Sequence, residues 1–195
     1  MNSRPHVNET IALLTRRRSL PPQGMTGPAP NAQDIETMLT IAARVPDHGK
    51  LAPWRFVLFE GEARDRAGQI AAKLLSQDEP TASESRLQAE RSRFSRAPLV
   101  VGVVSRAAPH VKIPEWEQQL SAGAACMSLV IAANALGYVT AWLTEWCAYD
   151  RRFCEAIGLL PHERIAGFIH IGRPNMVSED RQRPQLADIV SRFSA

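Results

Sequence analysis

The chain has 195 residues, is 45% hydrophobic and 22% charged, and carries a net charge of +3. This is enough apolar material for one core, and residues 1–195 are expected to form a single domain, with 1–7 a flexible N-terminus and 173–195 a C-terminal arm. The small charge excess, with no zinc-knuckle spacing, aromatic ladder or long basic run, gives no support for a nucleic-acid partner.

The three cysteines, Cys126, Cys147 and Cys154, form no CxxC and no even disulfide framework. With the polar start Met1-Asn-Ser-Arg-Pro-His, which has no signal-peptide character, they favour a reducing cytoplasm. The five histidines lack i,i+3 or i,i+4 pairing, so no metal site is expected.

In chain order, Asn8–Leu20 reads as a first helix, capped by Asn8 and ending in the basic cluster Arg16–Arg18 before Pro21-Pro22. Gln23–Pro30 reads as a loop. Asn31 caps a second helix with Ile35, Met38, Leu39 and Ala42 on its apolar face. Ala43–Phe56 is an ordered Pro- and Gly-containing loop, and Arg55–Glu60 alternates as a strand. Glu62–Phe94 reads as two helices broken near Pro80.

Pro98–Ser105 is a short apolar run with little alternation, which predicts a buried strand. Pro114 is placed in the first turn of the next helix. From Gln118 to Thr144 no charged residue occurs, a length that could span a membrane. The run is rich in Ala, Gly and Ser, its flanks are acidic, and its character changes at Gly137. It therefore reads as a buried helix followed by a strand from Tyr138 to Thr144. Tyr149–Ile157 is a short helix stopped by Gly158, Arg164–Gly172 a strand, and Arg173–Ala195 a short helix or an extended arm. This order describes an α+β fold or three-layer sandwich, without regular βαβ alternation.

Motifs for chemistry are mostly negative. There is no GxGxxG after a strand, no GxxxxGK[ST], no GxSxG and no HExxH. Ser121 and Cys147 have no recognisable base partner. Arg16–Arg18 with Ser19 lie at one end of the chain and Arg181 and Arg183 at the other. They could converge on one anionic group such as a phosphate, or remain separate solvated charges.

Four stretches together resemble the nitroreductase family of FMN flavoproteins. They are Arg17-Arg18-Ser19 after the first helix, RVPDHGKLAPWRF at Arg44–Phe56, SAGAACMSLVIAANALGYVTAW at Ser121–Trp142, and Gly172–Val190 with its RQRPQLADIV. The pattern is most similar to the small single-domain NAD(P)H nitroreductases of that family. The resemblance implies a three-layer α-β-α sandwich with a mixed or antiparallel sheet around a long central helix. It also implies a homodimer with FMN at the subunit interface, reduced by NADH or NADPH and passing electrons to a small-molecule acceptor.

No protein side chain is then expected to be catalytic, because the flavin carries the chemistry. Arg17 and Ser19 would bind the FMN phosphate with Arg18 beside them, and Arg183 would join them, with Arg181 as a second basic residue. Arg44 and His48 would reach the flavin or its ribityl chain from the other subunit, His48 having a loop-stabilising bond as its alternative role. Trp142, Leu143 and Thr144 would run alongside the ring, with a backbone N–H near Glu145 or Trp146 meeting flavin N5. Trp54 reads as a core anchor, and Trp116 and Trp142 also suit packing.

Three positions depart from the family pattern. Pro21 stands where a basic residue is common, Ala52 where a glutamine precedes Pro-Trp, and Leu143 where arginine is common. These changes bear on the pyrimidine edge of the flavin and raise an alternative, an FMN-binding or flavin-handling protein with little reductase activity. A deiodinase or flavin-cleaving specialisation lacks the added lid segment that would argue for it.

Overall fold

The computed structural model describes residues 8–193; the expected flexible segment 1–7 lies outside the described residues. Seven helices and five strands are described: α1 (Glu9–Arg16), β1 (Met25–Thr26), α2 (Ala32–Ala42), β2 (Trp54–Phe59), α3 (Glu62–Asp78), α4 (Glu84–Arg91), β3 (Leu99–Ser105), α5 (Glu115–Ala135), β4 (Val139–Leu143), α6 (Arg151–Ala156), β5 (Arg164–Pro174) and α7 (Leu186–Ile189). Every ladder among the strands is antiparallel. β5 lies at the centre, with β3 and then β2 on one side and β4 and β1 on the other.

The sheet is covered on both faces, which is why β3 reads as a continuous apolar run. Successive side chains of a strand point to opposite faces. Leu99, Val101 and Val103 therefore pack with Ile35 and Met38 of α2 and with Leu129 and Ala133 of α5. Val100 and Val104 pack on the other face with Ala71 and Leu74 of α3 and Phe153 of α6. The result is the expected three-layer α-β-α sandwich, with α2 and α5 on one side and α3 and α6 on the other.

The uncharged stretch divides as its composition suggests. α5 stops at Ala135 and Gly137 adopts φ +79, the left-handed turn that glycine tolerates, before β4 begins. Among the described residues no helix is long and apolar enough to cross a membrane.

Several boundaries differ from expectation. The first helix ends at Arg16 instead of Leu20 because Arg17 turns to ψ 141 and Leu20 N–H donates to the Thr140 carbonyl at 3.0 Å. That partner is far away along the chain, and Leu20 is buried with Met25, Ala97 and Ala141. The predicted loop at 23–30 contains β1, which pairs with the end of β5. Pro114 is the N-cap of α5, one position before its first turn. β2 begins at Trp54, one residue early, and the last long strand continues to Pro174.

Candidate functional site at the end of β4

β4 lies between β5 and the extended segment after α1, where Ser19 forms an isolated parallel bridge with Thr140. Its side chains alternate. Val139, Ala141 and Leu143 pack against the cluster of Leu20, Met25 and Ala97, while the Thr140 hydroxyl accepts a hydrogen bond from Asn134 Nδ2 of α5 at 3.1 Å. Trp142 points to the same side as Thr140 and donates its indole N–H to the Ala166 carbonyl at 3.1 Å. A side chain at Gly167 would meet that indole nitrogen at 2.1 Å, so the glycine makes room for the ring. Trp142 remains 41% exposed.

Leu143 has a local explanation. Its side chain faces the small apolar cluster and is used in packing, where the resemblance led us to expect a cation. Thr144 accepts a hydrogen bond from the exposed Tyr149 hydroxyl at 3.2 Å.

The phosphate candidates come from both chain ends. Arg17 ends α1 with its Nε buried and without a partner among the described residues. Leaving a buried charged donor unsatisfied is costly, so this geometry suits an incoming anion. Arg18 is mostly buried and forms an ion pair with Asp180, which ties the segment after α1 to the C-terminal arm. The Asp180 carboxyl is held below its usual range by the Arg181 backbone N–H first and then by Arg18. Arg181 and Arg183 follow on that arm, both exposed, with an Arg183 Nη1 donating to the Arg181 carbonyl at 3.2 Å. The Arg18–Asp180 pair is thus the contact that joins Arg17–Ser19 to the arm carrying Arg181 and Arg183.

Among the described residues no hydrogen bond or ion pair joins the loop candidates to those arginines. Arg44 is exposed. His48 is exposed and its Nδ1 sits 2.7 Å from Glu117 Oε2 in the first turn of α5. The loop is braced by Asp47, which accepts from the Leu51 and Ala52 amides at 3.0 and 2.9 Å. Ala52 holds φ +46, an unusual conformation for a residue with a side chain. Trp54 is the anchor expected: its indole donates to Ser121 Oγ at 3.1 Å, and that hydroxyl donates to the Pro46 carbonyl at 2.6 Å. Ser121 is therefore engaged in structure. Cys147 is buried, and burial pushes its thiol up to about 12, so it holds no thiolate at neutral pH.

A cavity of about 450 Å³ is lined by Ser105, Gln119, Gly123, His162, Arg164 and Ala166, among others. Its lining includes Ala166 of β5, whose carbonyl accepts the Trp142 indole N–H, but no β4 residue and none of the ten predicted site residues.

Sequence reasoning missed a charged cluster immediately behind the end of β4. Glu145 adopts φ +52, ψ −179, a region of backbone space that is nearly exclusive to glycine. Its carboxylate lies 2.6 Å from Arg93 Nη1 and 3.0 Å from Arg96 Nη2. Burial acts to raise the Glu145 pKa but is outweighed by hydrogen bonds and charge from Arg93 and Arg96, which hold it below the usual carboxylate range. Arg93 also pairs with Glu90, which accepts from Trp146 Nε1 at 3.1 Å. The spacing of Glu90 and Arg93 is visible in the sequence but reads as an ordinary solvated helix pair.

A model of the Nitroreductase family matches residues 25–173. The chain belongs to the nitroreductase family. The matched span contains β4 and the loop of Arg44 and His48 but excludes Arg17–Ser19, Arg181 and Arg183. A "Putative NAD(P)H nitroreductase" of Haemophilus influenzae is 34% identical over 165 residues, 84% of this nitroreductase-family chain and 88% of the relative. Among solved structures, a nitroreductase-like family protein from Bacillus cereus superposes with a TM-score of 0.81 at 22% identity, covering 100% of both chains. A nitroreductase with bound FMN from Bacteroides fragilis superposes with a TM-score of 0.69 at 16% identity, covering 96% of this chain and 100% of that one.

Proposed function

We propose that the protein is an FMN-dependent oxidoreductase that takes hydride from NADH or NADPH and reduces nitroaromatic, quinone or related small acceptors. Both substrates use one open site in turn, a ping-pong scheme. The observation that carries the reading is the buried Arg17 Nε just after α1, without a partner among the described residues, in a family member whose arm is tied to the same segment. When bound, FMN supplies the hydride and electron chemistry.

The chain's own residues bind and orient. Arg17 and Ser19 hold the phosphate with Arg18 beside them, and Arg183 and Arg181 approach it from the arm. Trp142, Leu143 and Thr144 line the ring through the strand backbone. Arg44 and His48 act from the second subunit of a cytoplasmic homodimer. Support for the dimer comes from exposed apolar side chains on adjoining elements: Ile11 and Leu14 of α1, Trp116 and Leu120 of α5. The small residues of α5 divide between two duties, since Ser121 and Ala125 are buried within the protomer while Gly123, Ala124 and Ser128 are half-buried.

The test is the visible spectrum of the purified protein, followed by anaerobic bleaching with NADH and NADPH separately. A yellow protein bleached by either nucleotide is expected. A colourless protein that cannot be reconstituted with FMN overturns the proposal. Arg17→Ala should weaken FMN binding about tenfold or more, measured by quenching of flavin fluorescence, because a charge-assisted contact to the phosphate is lost. A second reading, flavin binding with little reductase activity, is favoured by Leu143, whose apolar side chain is used in packing and offers the flavin no charge. It predicts a yellow protein that neither nucleotide bleaches.

A further inference from the structure

Glu145 is a non-glycine residue whose strained backbone has an ionic restraint. A side chain at φ +52, ψ −179 persists only where its surroundings over-determine it. Arg93 and Arg96 lie in the segment between α4 and β3 and hold both carboxylate oxygens of Glu145. Glu90 holds Arg93 from behind and accepts the Trp146 indole N–H, so the residues on both sides of the 145–146 peptide are fastened to one anchor.

The cluster is balanced, two guanidiniums against two carboxylates, and it is shielded from solvent: Glu90 is 8% exposed and the other three residues are half-buried. A solvated surface network has no reason to hold a backbone in a glycine-like conformation. The direction of the pull also matters. Phe94, between the two arginines, packs in the cluster on the α3 and α6 side of the sheet, whereas Trp142 pairs with Ile169, whose side chain faces α5. Glu145's side chain is drawn to the first side, which leaves the 144–146 backbone free of it on the side carrying Trp142.

We propose that Glu90, Arg93, Arg96 and Glu145 form a charge-balanced clamp that positions the backbone at the end of β4 against the flavin ring. Glu145 does by restraint what a glycine would do by permissiveness. The four side chains are positioning residues, acting on the site through the 144–146 backbone. This inference rests on the FMN reading above and adds a requirement to it.

The test is a double-mutant cycle read by FMN affinity. Arg96→Met loosens the clamp while leaving residue 145 unchanged, and Glu145→Ala removes the restraint from a residue that cannot relax into the native backbone. Each should raise the FMN Kd about tenfold or more, the scale expected when a strained conformer loses its support. Glu145→Gly should bind FMN about tenfold more tightly than Glu145→Ala, because glycine reaches this backbone region without help. Adding Arg96→Met to Glu145→Gly should then have little further effect, a coupling that independent sites would not show.

Flavin midpoint potential gives a second readout: Glu145→Gly removes a negative charge behind the 144–146 backbone and should raise it, whereas Arg96→Met removes a positive one and should lower it. Equal FMN affinity in Glu145→Ala and Glu145→Gly, with wild type still yellow, overturns the clamp and leaves the FMN reading standing. If wild type takes up no FMN, both fall. If Glu145→Ala fails to fold, the effect of Arg96→Met in wild type against its effect in the Glu145→Gly variant decides the question.

Discussion

His170, in the middle of β5, is buried, and neither ring nitrogen has a partner among the described residues. Burial first, and the nearby Arg96 charge second, push its pKa down to about 4, with Glu145 and the Phe168 and Arg93 backbone acting weakly the other way. The unfolded imidazole titrates near its ordinary value of 6.5, so between pH 6.5 and 4 the unfolded chain holds a proton that the folded chain does not. Stability is therefore full above about pH 6.5 and falls as the pH drops through this window, by up to about 3 kcal/mol. His170→Leu should flatten that slope in urea titrations run between about pH 6.5 and 5. Below that range Glu163 adds its own loss. Its carboxyl is held down to about 2, by the Arg55 hydrogen bonds first, so its contribution fades as pH falls below about 4.5. None of this was legible in the sequence, because His170 looks like any alternating strand residue until the loop carrying Arg96 is laid over it.

At the scale of elements, α3 and α4 meet where Gly68 faces the end of α4. A Cβ on Gly68 would lie 1.9 Å from the Arg91 carbonyl oxygen, which is backbone and cannot swing aside. Gly68→Ala should cost about 2–3 kcal/mol in denaturant unfolding, despite alanine's better helix propensity, since overpacking against backbone forces the helices apart. Both helices, the break between them and the α5–β4 junction at Gly137 were readable in the sequence because caps, periodicity and glycine act locally. The end of α1 was misplaced because Ser19 and Leu20 are claimed by β4, a partner no local signal reveals. The clamp was hidden for the same reason: Arg96 and Glu145 are 49 residues apart.

At the scale of the molecule, the family pattern was spread along most of the chain, so the fold and the cofactor reading were accessible before any geometry. The phosphate assignments rested on the resemblance of the two chain ends, and the family model stops short of Arg17–Ser19 and of Arg181 and Arg183, so they stand as proposals. What the structure adds there is one orphaned guanidinium nitrogen and one ion pair, Arg18 with Asp180, joining the two ends. In solution the protein should sediment as a dimer. Leu120→Glu, which puts a charge on the exposed apolar face of α5, should shift it toward monomer in analytical ultracentrifugation and lower FMN retention with it.

The short contact of Ser19 and Leu20 with Thr140 has a consequence beyond the binding of a phosphate. β4 pairs with β5 on one side, and on the other this contact is its described cover. An uncovered strand rim is a template for a second chain's rim. Deleting the chain through Arg16 removes α1 and keeps that cover, whereas deleting it through Leu20 removes both. The longer deletion should form concentration-dependent oligomers in light scattering beyond those of the shorter one. The few residues proposed to recognise the anion would thus also act as a guard against polymerisation, and a protease that nicks between Arg17 and Pro21 would disable both proposed duties in one cut.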